Sequence, residues 1–230
     1  MDVIPVVDLI GGVVVRARMG DRDAYQPITT PLSLSSDPVD VVRGLLRVHP
    51  FSTVYIADLD AIRRKGDNFS ALRRIRATLP GLRLWIDNGA ADEAALEAIL
   101  GAGLGAPVIG SESQRDSALV EAHRDSSRVL MSLDFRGEAF QGPDAVLSQS
   151  QLWPHRVIVM TLTRVGSGAG PDFARIAAVK SIAGARKIYA AGGVRDAADL
   201  AALKSAGVAG ALIASALHDG RVTRADLEAI

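Results

Sequence analysis

A closed (β/α)8 barrel filling residues 1–230 as one domain is the α/β fold this sequence predicts, on three observations. Apolar runs rich in Val, Ile and Leu alternate with amphipathic stretches along the chain, as in a parallel sheet covered on both faces. There are eight such runs, spaced about 29 residues apart, the size of one strand–loop–helix step. One β-α-β-α stretch recurs half a chain later: Asn88–Ser113 aligns with Gly192–Leu217 at a constant offset of 104 residues, with nine identities over 26 positions. Eight near-equal units and this repeat favour a TIM barrel with a two-fold internal half-barrel repeat over an open doubly wound sheet.

In order, Val3–Val7 is the first expected strand, and the long loop Gly20–Asp37 follows it. Thr53–Ala57 is the second, leading to a helix over Asn68–Leu79. Arg83–Ile86 is the third, and Trp85 at its end is either a core filler or a stacking surface for a planar ring. The next helical stretch, Asp92–Gly103, opens on a capping Asp and stops at Gly. Pro107–Ile109 precedes a helix over Ser113–Arg124, and Val129–Leu133 precedes the second long loop, Gly137–Pro143. Arg156–Met160 leads into Asp172–Ile182, and Lys187–Ala191 into Asp196–Gly207, again bounded by Asp and Gly. Gly210–Ala214 is the eighth.

Composition narrows the partners. Lys plus Arg and Asp plus Glu number 26 each, and this zero net charge speaks against nucleic acid or an anionic membrane. The absence of cysteine excludes disulfides and thiolate chemistry. No apolar run reaches the roughly 18 residues a membrane helix needs, and Met1-Asp2 opens no signal peptide, so a cytoplasmic location is expected. A monomer or small homo-oligomer is expected.

Five aspartates, Asp8, Asp58, Asp60, Asp87 and Asp134, stand at or just beyond strand ends, where barrels of this kind keep their sites. Asp also caps helices, so each has a structural reading too. Asp8 and Asp134 end strands one and five, opposite each other in an eight-stranded ring. Two carboxylates across a pocket can hold different pKa values and divide base and acid work, which makes them the expected catalytic pair. Gly192 and Gly193 after strand seven, with Ala214 and Ser215 after strand eight, form an expected phosphate cradle, because Gly lets backbone N–H groups approach an anion. The matching loops of the other half supply Gly89, Gly110 and Ser111, but Asp87 among them repels a dianion. One intact phosphate site and one weakened site are expected. Arg16 is expected to face an anionic substrate. Asp58, Asp60, Asp87, Thr161 and Thr163 are expected to border the pocket.

His49, His123 and His155 fall on helices or ahead of strands, so neither a histidine metal site nor a cofactor is expected, and the Asp cluster is left as the one place for a Mg²⁺ ion. Of four lysines only Lys65 could reach the pocket from a loop, which weighs against Schiff-base chemistry.

Taken in order, Ile4-Pro5-Val6-Val7-Asp8-Leu9 with Gly12, Val15-Arg16 and Gly20-Asp21, then Asp58-Leu59-Asp60, Leu133-Asp134, Gly170-Pro171-Asp172 and Gly192-Gly193-Val194 resemble the motifs of the histidine-biosynthesis (HisA/HisF) barrel family. That family contains the phosphoribosylformimino-AICAR-ribotide isomerase and the cyclase subunit of imidazole-glycerol-phosphate synthase. The resemblance covers essentially the whole chain. It implies two phosphate sites and an Amadori rearrangement of a ribosylamine, with Asp8 as acid/base at the sugar and Asp134 assisting from across the barrel. Two segments depart from the pattern. Where the isomerase strand-six motif has a Thr and a second Asp, this chain has Met160 and Val165; where it has Gly-Gly-Gly-Ile, this chain has Asp87-Asn88-Gly89-Ala90. A thioether cannot donate a hydrogen bond and valine cannot exchange a proton. The pattern is similar to a divergent HisA/HisF-related group of methanogens and methylotrophs that is associated with one-carbon cofactor metabolism. The expected function is an isomerase-like acid–base enzyme for a phosphorylated sugar or ribotide-like small molecule, of aldose–ketose or Amadori type. The alternative is a repurposed, non-catalytic paralogue that binds a phosphorylated metabolite.

Overall fold

The computed structural model describes residues 1–230. Eight parallel strands form its centre: β1 (Asp2–Ile10), β2 (Thr53–Asp58), β3 (Arg83–Asp87), β4 (Ala106–Gly110), β5 (Leu130–Arg136), β6 (Arg156–Thr161), β7 (Lys187–Ala191) and β8 (Gly210–Ile213). Each pairs with the next. The ring closes where β8 returns to β1, from Asp2 opposite Gly210 to Pro5 opposite Ile213. A helix follows every strand: α1 (Pro38–Val48), α2 (Phe69–Thr78), α3 (Glu93–Leu100), α4 (Ala118–Ala122), α5 (Asp144–Ser148), α6 (Phe173–Ile182), α7 (Ala197–Ser205) and α8 (Arg224–Glu228). The (β/α)8 barrel expected from the alternation is the observed fold.

The internal repeat has a local physical basis. Asp92 and Asp196, matched at the offset of 104, do the same job: each accepts the backbone N–H three residues on, at 2.9 Å from Ala95 and 3.0 Å from Asp199. Gly103 and Gly207, the matched stops, both hold the left-handed conformation beyond the helix end (φ +62° and +67°). The two long loops are related as well. After β1 the chain doubles back as Val13–Arg16, pairing Asp8 with Val15; after β5 it doubles back as Ala139–Gln141, pairing Asp134 with Gln141. Within the segments expected as loop, Gln26–Pro27 adds a further short strand against Val15 and Arg16, and Ala139–Gln141 is the returning arm of the second hairpin.

One expected helix is much shorter than its pattern suggests. Ser113–Arg124 keeps only Ala118–Ala122, because Gln114 is drawn back to the carbonyls of Ala90 and Gly110 at 2.8 and 3.0 Å. The carboxylate of Asp116 then accepts the N–H of Ala118 at 2.9 Å and restarts the chain as a helix.

Strand alternation sends one set of side chains into the barrel and the other against the helices. Ile4, Tyr55, Trp85, Val108, Leu130, Ile158, Tyr189 and Leu212 fill the interior, one from each strand. Trp85 meets Tyr189 edge-on, with ring centroids 4.9 Å apart, so it is core rather than a stacking platform. Outside the ring, fully buried residues such as Leu45, Leu72 and Ile75 join helix to strand; truncating one to Ala costs about 2–5 kcal/mol. The filled interior closes the barrel beneath its C-terminal end. Whatever binds there meets a floor.

Candidate active site

A cleft of about 960 Å³, counting its open mouth, sits over that floor at the C-terminal ends of the strands. One wall is acidic. The inward-facing positions of β1, β3 and β5 end in Asp8, Asp87 and Asp134, all of which line the cleft, with Glu112 beside them. Asp134 is buried and well supported: its carboxylate accepts the Ser132 hydroxyl at 2.6 Å and the Glu112 N–H at 3.2 Å. Asp87 accepts the Tyr55 hydroxyl at 3.1 Å and the Gly89 N–H at 3.0 Å. Gly110 lies between these two carboxylates, so that a Cβ there would stand 3.4 Å from an oxygen of each.

Asp8 differs from its neighbours. It is half-buried on the cleft wall, and no protein group hydrogen-bonds to its carboxylate. Burial pushes its pKa up to about 7, with Arg22 pulling down and Asp87 pushing up. Burial likewise raises Asp134 to about 8, and the negative charges of Glu112 and Asp87 add to the shift. Asp87, helped by its N–H and hydroxyl donors, rises only to about 6. At neutral pH the cleft thus holds one carboxyl that keeps its proton, one near its midpoint and one mostly ionised. That is the separation acid–base chemistry needs. Arg22, from the loop after β1, pairs with Glu112 across the mouth of the cleft.

The opposite wall is made by backbone. Gly192, Gly193, Ala214 and Ser215 line it. The N–H groups of Gly192, Gly193, Val194 and Ala214 have no acceptor in the protein and are free for an anion. Both glycines have φ above +90°, and a Cβ on Gly193 would stand 2.2 Å from the carbonyl oxygen of Gly170. No side chain fits there.

Residues 2–223 match the profile of the family described as "Histidine biosynthesis protein". The chain belongs to this family. An uncharacterized protein of Methanocaldococcus jannaschii is 29% identical over 235 residues, covering 100% of this chain and 97% of the relative. The 1-(5-phosphoribosyl)-5-((5-phosphoribosylamino)methylideneamino) imidazole-4-carboxamide isomerase of Deinococcus radiodurans is 30% identical, over 95% of this chain and 94% of its own. The isomerase of the same name from Myxococcus xanthus is 28% identical, over 96% and 95%. The resemblance drawn from the motifs is therefore to the right family, and its isomerases are distant relatives of this chain.

Within this family member, several residues expected at the site stand elsewhere. Arg16 does not face the cleft; its guanidinium donates to Asp219 at 2.9 Å and to the Thr29 carbonyl at 3.3 Å, bracing the first loop against the last. Gly89 spends its N–H on Asp87, and a Cβ there would stand 2.7 Å from the Ile62 Cα. Gly110 separates carboxylates instead of cradling phosphate. Ser111 is fully buried, accepting the Asp134 backbone N–H at 2.9 Å and donating to the Gln141 carbonyl at 2.7 Å. Asp58 and Asp60 both converge on Asn68, at 2.7 and 3.0 Å from its amide nitrogen, and so tie loops together outside the cleft. Thr161 turns outward to Asp172 at 3.5 Å, while Thr163 accepts the Gly137 N–H at 3.4 Å.

The reason is parity. Ala57 and Met160 take the inward positions on β2 and β6, so Asp58 and Thr161 must point out. Of the five residues expected to border the pocket, only Asp87 does. Arg22, Tyr25, Tyr55 and Glu112 line the cleft without having been singled out from the sequence. Tyr55 was legible as an inward position two residues before Ala57; the others sit on loops, where no periodicity points to them. Across the chain, no three His, Asp or Glu side chains converge closely enough to hold a metal ion. No helix is long and apolar enough to cross a membrane.

Proposed function

We propose that this chain is an acid–base isomerase acting on a singly phosphorylated, sugar-type or ribotide-like small molecule. The carrying observation is Asp8: an unpartnered carboxyl near its midpoint, in a cleft whose other wall presents free backbone N–H groups. The phosphate lies on Gly192, Gly193, Val194 and Ala214, with the Ser215 hydroxyl beside it. This leaves the sugar carbons on the acidic wall. Ionised Asp8 takes a proton from a carbon next to the carbonyl or imine. Protonated Asp134 donates one at the other end of the bond system, and the two exchange roles to complete the shift, so no proton is gained or lost overall. Asp87 and Asp134, flanking Gly110, make the mirrored half hostile to a second phosphate. Relatives named as phosphoribosyl isomerases support the reaction class.

Kinetics with singly phosphorylated pentoses and ribotides test this reading. Turnover should fall at least 100-fold in Asp8→Asn and in Asp134→Asn with substrate affinity kept. Near-normal turnover in both variants would remove the proposal. Inhibition should be stronger by singly than by doubly phosphorylated ribotides, and Asp87→Gly should narrow that gap.

A second reading, a binding protein without turnover, is favoured by Met160 and Val165. Both line the cleft where the resemblance implies a Thr and an Asp. Restored growth of a histidine auxotroph lacking the isomerase would exclude it.

A further inference from the structure

A second groove opens at the other end of the barrel, beneath the filled interior. Arg76, Arg83, Arg128 and Arg156 line it, together with Leu100 and Leu104. Arg83 and Arg156 are the first residues of β3 and β6, and share the inward parity of Trp85 and Ile158. They therefore crowd the lower mouth of the barrel, close enough for Arg83 to depress the pKa of Arg156, on which burial already acts in the same direction.

Ten arginines of this chain pair with carboxylates; none of these four does. Three are instead held by neutral groups. Arg76 donates to the carbonyls of Pro80 and Leu82 at 2.7 and 3.2 Å. Arg83 donates to the hydroxyls of Ser52 and Thr53 at 2.8 and 3.1 Å. Arg156 donates to the Ser127 carbonyl and lies 5.5 Å over the Trp85 ring. Their positions are set while their charge stays uncompensated, in a chain whose net charge is zero. Asp2 acts on Tyr189, as Arg156 and Arg83 do, but pairs with neither arginine, and Asp125 is held by Arg124.

We propose that this groove is a binding site for an organic phosphate, separate from the cleft. The remaining guanidinium N–H groups take the phosphate oxygens, and the apolar part of the ligand lies along Leu100 and Leu104. Guanidinium forks match phosphate oxygens in both charge and geometry. A carboxylate side chain meets only half of that charge, and duplex nucleic acid needs a stripe rather than a pocket.

Titration calorimetry on the full chain tests the assignment, with adenosine monophosphate as probe at about 0.15 M salt, where weak surface attraction is screened. Arg83→Gln/Arg128→Gln should weaken binding at least 10-fold. Arg128→Gln alone should weaken it about 3-fold; that side chain makes no hydrogen bond within the fold, so its loss leaves packing intact. Gly193→Ala, which obstructs the phosphate loop of the cleft, should leave this affinity unchanged, which keeps the test independent of the cleft. Unaltered affinity in the double variant would overturn the proposal. So would a wild-type chain that ignores millimolar nucleotide, or one that binds a poly-glutamate peptide in preference to it.

Discussion

Removing the charge of Asp8 should strengthen the fold in alkali while removing the proposed chemistry. Its pKa stands near 7 in the folded chain against an ordinary 3.8. Between those values the native state keeps a proton that the unfolded state has lost. Stability is therefore intact below pH 3.8, declines as pH rises, and has lost its full share above 7. An Asn at this position never ionises and escapes that loss. Between pH 4.5 and 8.5 the window covers about 2.5 pKa units, or about 3.4 kcal/mol at 1.36 kcal/mol per unit. Water reaching the open cleft screens part of this, leaving about 2–3 kcal/mol. In a chain of this length that is about 4–12 °C in Tm. The comparison is a double difference: variant minus wild type at pH 8.5, less the same quantity at pH 4.5. His218, whose pKa burial lowers to about 4, has the opposite dependence, but it is present in both proteins and cancels. Calorimetric melts at the two pH values supply all four numbers. An equal gain at both, or a loss at pH 8.5, would refute the view that burial holds Asp8 near neutrality.

Arg22→Gln removes the cation that lowers Asp8, so the acid limb of the kcat/KM profile should move to higher pH, and an unmoved limb would detach Arg22 from Asp8. Gly193→Ala places a methyl 2.2 Å from the Gly170 oxygen at φ +93°; a loss of about 2 kcal/mol or more in urea unfolding and a weakened phosphate site are expected, and a silent variant would contradict the packing. Asp92→Ala and Asp196→Ala each remove one helix cap and should cost about 0.5–2 kcal/mol apiece in urea unfolding, adding in the double variant; a silent cap at either place would break the equivalence of the two halves.

The ring, its eight units and the halves of its repeat were legible from the residues alone. Val- and Ile-rich runs can be buried on both faces only in a covered parallel sheet. The Asp and Gly that recur 104 residues apart start and stop helices by local geometry, which is written in the chain itself. Asp8, Asp134 and the Gly192-Gly193 turn were legible for the same reason: a strand end in a barrel has one destination. Facing direction was not. Asp58 and Asp87 read alike as acids at strand tips, yet one residue of register sends Asp58 outward to Asn68 and Asp87 inward to Tyr55. Arg16 looked like an anion ligand until the fold brought Asp219, 203 residues away, within 2.9 Å. Arg22 and Glu112 meet over the cleft from two irregular loops that no periodicity describes. Local order follows from nearest neighbours along the chain; which groups share a pocket, and hence which pKa values part, depends on contacts that exist only once the ring has closed.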